Sequence, residues 1–220
     1  MERIILLTLL AVTIGYLILA RMAVKRIEHA HYLQRADLFR NLPIQNGDIV
    51  FLGDSITAGG CWDELFPGLG IKNRGINADD TRGVLARLDD ILTGHPRALF
   101  ILIGTNDLNP WNYHPETQII ANYEMILKRC QELSPETKVY IESVLPRSSR
   151  LARRVQQLNQ MLEELAAKHE RTFINLYPHF ADENGALRSE FNNDHLHLLS
   201  AGYAQWVQIL TPYLEPYRNQ

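Results

Sequence analysis

A serine near the start and an acid–histidine pair near the end of this 220-residue chain have the types and spacing of hydrolytic chemistry. Ser55 stands in "LGDSITAGG", directly after an apolar run, and "NDHLHLL" carries Asp194 and His197 with two residues between them. A serine hydroxyl becomes a nucleophile when an imidazole takes its proton and a carboxylate holds that imidazole in the useful tautomer. A tight loop can place Asp194 against one ring nitrogen of His197 and leave the other for Ser55. His195 is adjacent to Asp194, which makes the same geometry hard, so His197 is the predicted base.

Such a reaction also needs hydrogen-bond donors for the oxyanion, each worth about 3–4 kcal/mol. The predicted donors are the N–H of Ser55, the N–H of Gly75 in "NRGI" and the side-chain amide of Asn106 in "GTND". A glycine lets the backbone approach a ligand closely, and an asparagine donates without forming a permanent ion pair. Asp54 and Asp107 are predicted to be structural and to bond loop N–H groups.

Two further features near these residues leave alternatives open. Trp111 and Tyr113, in "DLNPWNYHPE" just beyond Asn106, could line a substrate rim or simply pack. Asp194, His195 and His197 include the H-x-H spacing of metal ligands, but no further tight cluster of ligands accompanies them. We therefore predict no metal.

Five apolar runs alternate with helical patterns through the rest of the chain. Continuous apolar runs indicate strands that are covered on both faces, as in a parallel sheet. The predicted strands are Ile49–Leu52, Ile71–Asn73, Ala98–Ile103, Val139–Val144 and Thr172–Leu176. The predicted helices are Thr81–Leu92, capped by Asp79 or Asp80, and Pro115–Leu133, Ser149–His169 and Ser200–Leu214. This alternation predicts a doubly wound α/β sandwich.

In a doubly wound sheet, sites form at the carboxyl ends of the strands. The Gly53-Asp54-Ser55, Arg74-Gly75-Ile76 and 104–107 loops all follow predicted strands. We therefore expect these three polar loops to converge.

Four segments, Gly53-Asp54-Ser55, "NRGI", "GTND" and the Asp194–His197 pair, together resemble the SGNH (GDSL-type) hydrolase family, over roughly residues 48–214. Within it, the chain is most similar to the branch of platelet-activating-factor acetylhydrolase and carbohydrate acetylesterases. The resemblance implies a flavodoxin-like three-layer sandwich with a five-stranded parallel sheet and no metal or organic cofactor. It implies Ser55, Asp194 and His197 as the triad, with Gly75 and Asn106 in the oxyanion hole. Two departures are His195, where relatives often have glycine, and "INADD" after Gly75, where they commonly have a glycine-rich turn.

Composition supports a folded domain and excludes some partners. Apolar residues make up 46% and charged residues 21%, and the net charge is −3. These values are ordinary for a globular protein, and no basic aromatic-rich patch predicts nucleic acid as a partner. Oligomeric state cannot be inferred from the sequence.

The N-terminus predicts a single-pass membrane anchor. Residues 4–20 carry no charge and are bounded by Arg3 and Arg21, a length at the lower limit for crossing a bilayer. A cleaved signal peptide is the alternative, since residues 18–20 loosely resemble a cleavage site. The cations after this segment favour a cytoplasmic domain, whereas most reasons to anchor a hydrolase favour the other side, so the side stays open.

The predicted organisation is an anchor at 1–21, a helical connector at 22–44 and a hydrolase domain at 45–220. The predicted activity is that of a serine esterase acting on short acyl esters, with an O-acetyl group on a carbohydrate as the first choice. A lysophospholipase or short-chain lipid esterase and a catalytically silent glycan-binding module are the alternatives. A nucleotide-binding protein is disfavoured because no phosphate-binding glycine motif is present.

Overall fold

The computed structural model describes residues 1–109 and 114–218. It begins with α1 (Glu2–Arg40), a single helix of 39 residues. The predicted anchor and connector are therefore continuous. The most apolar 18-residue window of α1 has a mean hydropathy of 2.3 and none of it is buried, which fits a membrane span and equally a signal sequence.

Five parallel strands form one sheet, in the order β2-β1-β3-β4-β5. Their bounds are β1 (Ile49–Gly53), β2 (Lys72–Gly75), β3 (Ala98–Leu102), β4 (Lys138–Glu142) and β5 (Thr172–Ile174). The chain runs outward from β1 to β2 and then returns to β3 on the other side of β1. This is the flavodoxin-like doubly wound order, and it confirms the predicted sheet.

Three strands end earlier than predicted: β3 by one residue, at Leu102, and β4 and β5 by two residues each, for a local reason. β4 was expected to continue to Val144, but the N–H and C=O of Val144 bond to the side chain of Asn159, at 2.7 and 2.9 Å. β5 ends at Ile174, and the N–H of Leu176 donates a hydrogen bond to the Ile174 carbonyl. Side-chain and turn hydrogen bonds therefore replace the strand pairing at these ends.

The longer helices lie where the sequence predicts them. The helices after α1 are α2 (Ser55–Ala58), α3 (Trp62–Leu65), α4 (Thr81–Arg87), α5 (Asp89–Leu92), α6 (Glu116–Leu133), α7 (Ala152–Lys168), α8 (Tyr177–Phe180) and α9 (Ser200–Leu214). The predicted helix Thr81–Leu92 is interrupted at Leu88, whose N–H bonds three residues back to Leu85. Asp80, one of two predicted caps, accepts the N–H groups of Arg82 and Gly83.

Helices cover both faces of the sheet and enclose two apolar clusters. Alternate strand residues point to opposite faces, so Val50 and Leu52 join one cluster whereas Ile49 and Phe51 join the other. The first cluster includes side chains of α4 to α7, and the second includes α3 and α9. The fold is thus the expected three-layer sandwich.

A buried polar contact secures α9, the helix that follows the "NDHLHLL" loop. The indole of Trp206 donates to the Glu142 carboxyl at 2.6 Å, and both side chains are buried. Burial raises the pKa of Glu142 to about 8, although the bond from Trp206 opposes the shift. The contact ties α9 to the carboxyl end of β4.

Candidate active site

The predicted loops meet where the strand order reverses, between β1 and β3. The loop after β1 carries Ser55 and the loop after β3 carries Asn106. Their connections leave the sheet in opposite directions along its edge, so a crevice forms between them.

Ser55 is the first residue of α2, and this short helix is held from several sides. Asp54 is buried and caps it, accepting the N–H of Ile56 at 2.9 Å. Burial raises the pKa of Asp54 to about 7, while the bond from Ile56 acts in the opposite direction. Tyr203 of α9 donates to the Ile56 carbonyl at 2.8 Å. The N–H of Ser55 itself has no acceptor among the described residues.

The loop before α9 holds Asp194 and His197 through hydrogen bonds to its own backbone. One oxygen of Asp194 accepts the N–H groups of Leu196 and His197, at 2.9 and 2.8 Å. His195 has a φ of 61°, a conformation that favours glycine, and its N–H donates to Asn192 at 2.7 Å. The loop therefore keeps a glycine-like turn although His195 fills the position.

The structure brings Ser55, His197 and Asp194 into one hydrogen-bonded line. Ser55 Oγ lies 3.0 Å from His197 Nε2, and His197 Nδ1 lies 2.6 Å from Asp194 Oδ2. Partial burial raises the pKa of Asp194, but bonds from the ring and N–H of His197 and from Leu196 outweigh it, and the pKa is lowered. An ionised Asp194 selects the tautomer with a proton on Nδ1, which leaves Nε2 able to accept the Ser55 proton.

Asn106 is oriented by the loop that follows β2. Its Nδ2 donates to the Asp79 carbonyl at 2.8 Å, and the amide has a second hydrogen. The neighbouring Asp107 is buried and accepts the N–H of Thr81 at 3.1 Å and the Thr81 hydroxyl at 2.6 Å. Asp54 and Asp107 therefore both accept backbone N–H groups, as predicted, although these N–H groups lie in the first turns of α2 and α4.

The backbone N–H of Gly75, predicted as an oxyanion donor, is already hydrogen-bonded within the protein. Its N–H donates to Asn73 Oδ1 at 2.9 Å, and one hydrogen cannot also serve an oxyanion at full strength. A Cβ at position 75 would lie 2.2 Å from the Ala58 nitrogen, so glycine is needed for β2 to approach α2. The prediction of Gly75 as a donor is corrected on this ground.

The backbone of Ala78 lies next to the candidate site, and the sequence did not predict this. The N–H of Asp79 bonds to Ile76 at 3.2 Å, and Ala78 in this turn has a φ of 61°. Positive φ at the third turn residue usually requires glycine or asparagine. Ala78 is an exposed residue and its N–H has no acceptor among the described residues, and the next residue, Asp79, supplies the carbonyl that orients Asn106. The only signal was that "INADD" occupies a glycine-rich turn of relatives.

Arg147 was also missed. Its Nη1 donates to Thr105 Oγ1 at 2.9 Å, next to Asn106, and its Nε donates to the His195 carbonyl at 3.3 Å. Arg147 therefore links the loop of Asn106 to the loop of Asp194. Burial lowers the pKa of Arg147, but a guanidinium stays charged in proteins. A single arginine after a strand offers no sequence signal for this role.

The predicted rim residues Trp111 and Tyr113 lie outside the described residues. Asp194, His195 and His197 do not form a metal-ligand group: no cluster of three or more His, Cys, Asp or Glu suited to a metal occurs within 1–109 and 114–218.

The chain is similar to a known protein family and to characterised relatives. The model of the GDSL-like lipase/acylhydrolase family matches residues 51–205. Platelet-activating factor acetylhydrolase IB subunit alpha1 of Homo sapiens is 30% identical over 166 residues, which are 71% of this chain and 70% of that protein.

Two solved structures share the architecture. A protein of Streptococcus pneumonia described as a platelet activating factor has a TM-score of 0.79 and 30% identity over 88% of this chain and 99% of its own. That share exceeds residues 45–220 alone, so the match includes part of the first 44 residues. A GDSL-like lipase of Bacteroides thetaiotaomicron has a TM-score of 0.74 and 25% identity, covering 85% of this chain and 98% of its own. The chain therefore belongs to the GDSL-like lipase/acylhydrolase family, and it is a hydrolytic enzyme.

Proposed function

We propose that the protein is a serine esterase that cleaves short acyl esters through an acyl-enzyme. The observation that supports this best is the hydrogen-bonded line from Asp194 through His197 to Ser55, with contacts of 2.6 and 3.0 Å. Such a line supplies a nucleophile, a base for its proton and a carboxylate that orients the base.

The proposed reaction has two stages. Ser55 Oγ attacks the carbonyl carbon while its proton passes to His197 Nε2. The oxyanion then collapses, the bond to the alcohol oxygen breaks, and His197 gives its proton to that oxygen. A water molecule next attacks the acyl group on Ser55 and loses a proton to His197. Collapse of the second oxyanion releases the carboxylic acid, and the proton returns to Ser55.

The proposed oxyanion donors are backbone and amide N–H groups. The Ser55 N–H lies beside the nucleophile and has no other acceptor among the described residues. The second amide hydrogen of Asn106 and the Ala78 N–H are the other two, because Ala78 adjoins the residue that orients Asn106. Gly75 is not included, since its N–H is bonded to Asn73.

The favoured substrate is an acetyl ester, with a carbohydrate as the alcohol. The human relative is named an acetylhydrolase, which favours a two-carbon acyl group. Asn106 lines a cavity together with other polar side chains, among them Asn77, Asp80 and Asn109, and these suit a hydroxyl-rich alcohol better than a hydrocarbon chain. A short-chain lipid ester is the second candidate, favoured by the apolar half of α1.

We also propose that the apolar half of α1 anchors the enzyme as a single membrane span. Its 18-residue apolar window is unburied, and exposed leucine and isoleucine side chains are costly in water but stable in lipid. The charges after the span favour a cytoplasmic domain.

Acyl-chain preference tests the proposed substrate class. We expect the full chain in detergent to hydrolyse p-nitrophenyl acetate with a kcat/KM about tenfold or more above that for the octanoate. The reason is that a two-carbon acyl group needs no long apolar channel, whereas an octanoyl chain does. Rates on acetate, butyrate and octanoate under the same conditions measure this. A preference for octanoate would favour the lipid ester instead.

Arg147 is expected to position both loops of the site. Arg147→Gln should lower kcat by about 10- to 100-fold with KM little changed, because bonds from a charged donor to two loops are lost. Arg147→Lys should recover part of the loss. Arg153→Gln, at an exposed position of α7, is the matched control and should have no effect. Equal losses in kcat for Gln and Lys would argue against a role that depends on the charge.

A further inference from the structure

The second half of α1 packs on the hydrolase domain and does not act as a loose connector. Tyr32 donates to the Gly83 carbonyl of α4 at 2.9 Å. Arg74 donates to the Leu42 carbonyl at 2.6 Å, and its guanidinium lies 4.7 Å from the ring centre of Phe39. These contacts, one from the last quarter of α1 and two at or just beyond its end, fix the position of that part of the helix against the domain.

A cavity of about 490 Å³ lies between α1 and the loop that precedes α4. This volume is in the range of small-molecule sites. Side chains three to four residues apart on one face of α1 form one wall, and the site loops form the other. The lining residues used here are Lys25, His29 and Tyr32 on α1, with Asn77, Ala78 and Asn106 opposite.

The cavity belongs to the reaction because it shares Asn106 and Ala78 with the proposed oxyanion hole. An ester whose carbonyl oxygen reaches these two N–H groups has its acyl group on one side and its alcohol on the other. The cavity walls carry hydroxyl, imidazole, amide and charged groups. A hydrocarbon chain would remove water from these polar groups and add no hydrogen bond, whereas a hydroxyl-rich alcohol can replace that water with hydrogen bonds of its own.

We propose that α1 is part of the substrate site, and that Lys25 and His29 bind the alcohol portion of the ester, a carbohydrate. The inference rests on the proposed esterase function and adds the source of its specificity. Lys25 lies only five residues after the end of the uncharged stretch at Ala20, about 7.5 Å along a helix. The helix proposed as the anchor therefore also places the alcohol site close to the membrane surface.

A ratio of two activities tests the inference on the full chain in detergent micelles. The substrates are p-nitrophenyl acetate and partly acetylated oligomers of xylose and of N-acetylglucosamine. We expect Lys25→Met and His29→Leu each to lower the ratio of kcat/KM, oligosaccharide over p-nitrophenyl acetate, by about tenfold, mainly through KM. Arg26→Met is the matched control, because Arg26 is also an exposed cation but lies about 100° away around the helix.

The outcomes separate this inference from the proposed function. If Ser55-dependent hydrolysis of p-nitrophenyl acetate is absent, the proposed function itself fails. If that hydrolysis is present but the ratio does not change in Lys25→Met and His29→Leu, α1 is only a scaffold and the inference is overturned. It is also overturned if the wild type hydrolyses neither oligosaccharide in preference to p-nitrophenyl acetate, or if Arg26→Met lowers the ratio equally.

Discussion

Replacement of Ser55 by alanine is expected to lower kcat for p-nitrophenyl acetate by about 10³- to 10⁶-fold. The hydroxyl is the atom that attacks the ester in the proposed mechanism, and no other described side chain occupies its place 3.0 Å from His197 Nε2. A residual rate above that in water would remain, because the oxyanion donors and substrate binding persist without the nucleophile. Steady-state rates at saturating ester measure the loss.

The Ser55→Ala variant should remain folded. α2 is capped by Asp54 and held by Tyr203, and neither bond uses the Ser55 hydroxyl. The free energy of unfolding should therefore stay within about 0.5–1 kcal/mol of the wild type. Ser189→Ala, at an exposed serine, is the matched control and should keep full activity. Activity above one tenth of the wild type in folded Ser55→Ala would refute the assignment of the nucleophile.

Asp194→Asn is expected to lower kcat by about 10³- to 10⁴-fold with the fold intact. Asp194 Oδ1 accepts two N–H groups, from Leu196 and His197. The amide oxygen of asparagine must take that place, which turns the NH₂ group toward His197 Nδ1. The His197 proton then moves to Nε2, and a protonated Nε2 cannot accept the Ser55 proton.

The pH dependence adds a second test of Asp194. The pKa of the Asp194 carboxyl is lowered, so this group is already ionised at the pH where an ordinary carboxyl titrates. It should therefore add no titration step to kcat between about pH 5 and 9. Asp63→Asn, an exposed carboxylate on α3, is the control and should leave kcat unchanged. A loss smaller than tenfold in Asp194→Asn at every pH would mean that the carboxylate does not orient the base.

Local patterns were sufficient to predict the sheet and the line of three residues. Continuous apolar runs such as Ala98–Ile103 indicate buried strands, and the carboxyl ends of parallel strands share an edge of the sheet. The spacing of Asp194 and His197 allowed a loop that bonds to its own backbone. The strands and the Asp194–His197 pair depend on neighbours in sequence, whereas the contact of His197 with Ser55, 142 residues away, was expected from the chemistry of the pair and from the family resemblance.

Features that depend on the exact path of a loop, or on contacts between distant segments, could not be predicted. Gly75 was assigned to the oxyanion hole because glycine lets the backbone approach a ligand, and the bond from its N–H to Asn73 Oδ1 was not recognisable from the sequence. The positive φ of Ala78 follows from the turn that Asp79 closes, and the link made by Arg147 joins loops 42 and 48 residues away in sequence. The packing of α1 on α4 joins residues 51 apart, which helix periodicity alone cannot indicate.

Covalent trapping is the most direct test of the central claim, that Ser55 is the nucleophile activated by His197 and Asp194. The full chain would be treated with a fluorophosphonate, and mass spectrometry of its peptides would locate the adduct. We expect one adduct per chain, on Ser55, formed far more slowly in His197→Ala. A folded wild-type protein that forms no adduct, or forms it on a residue other than Ser55, would show that Ser55 is not the activated nucleophile.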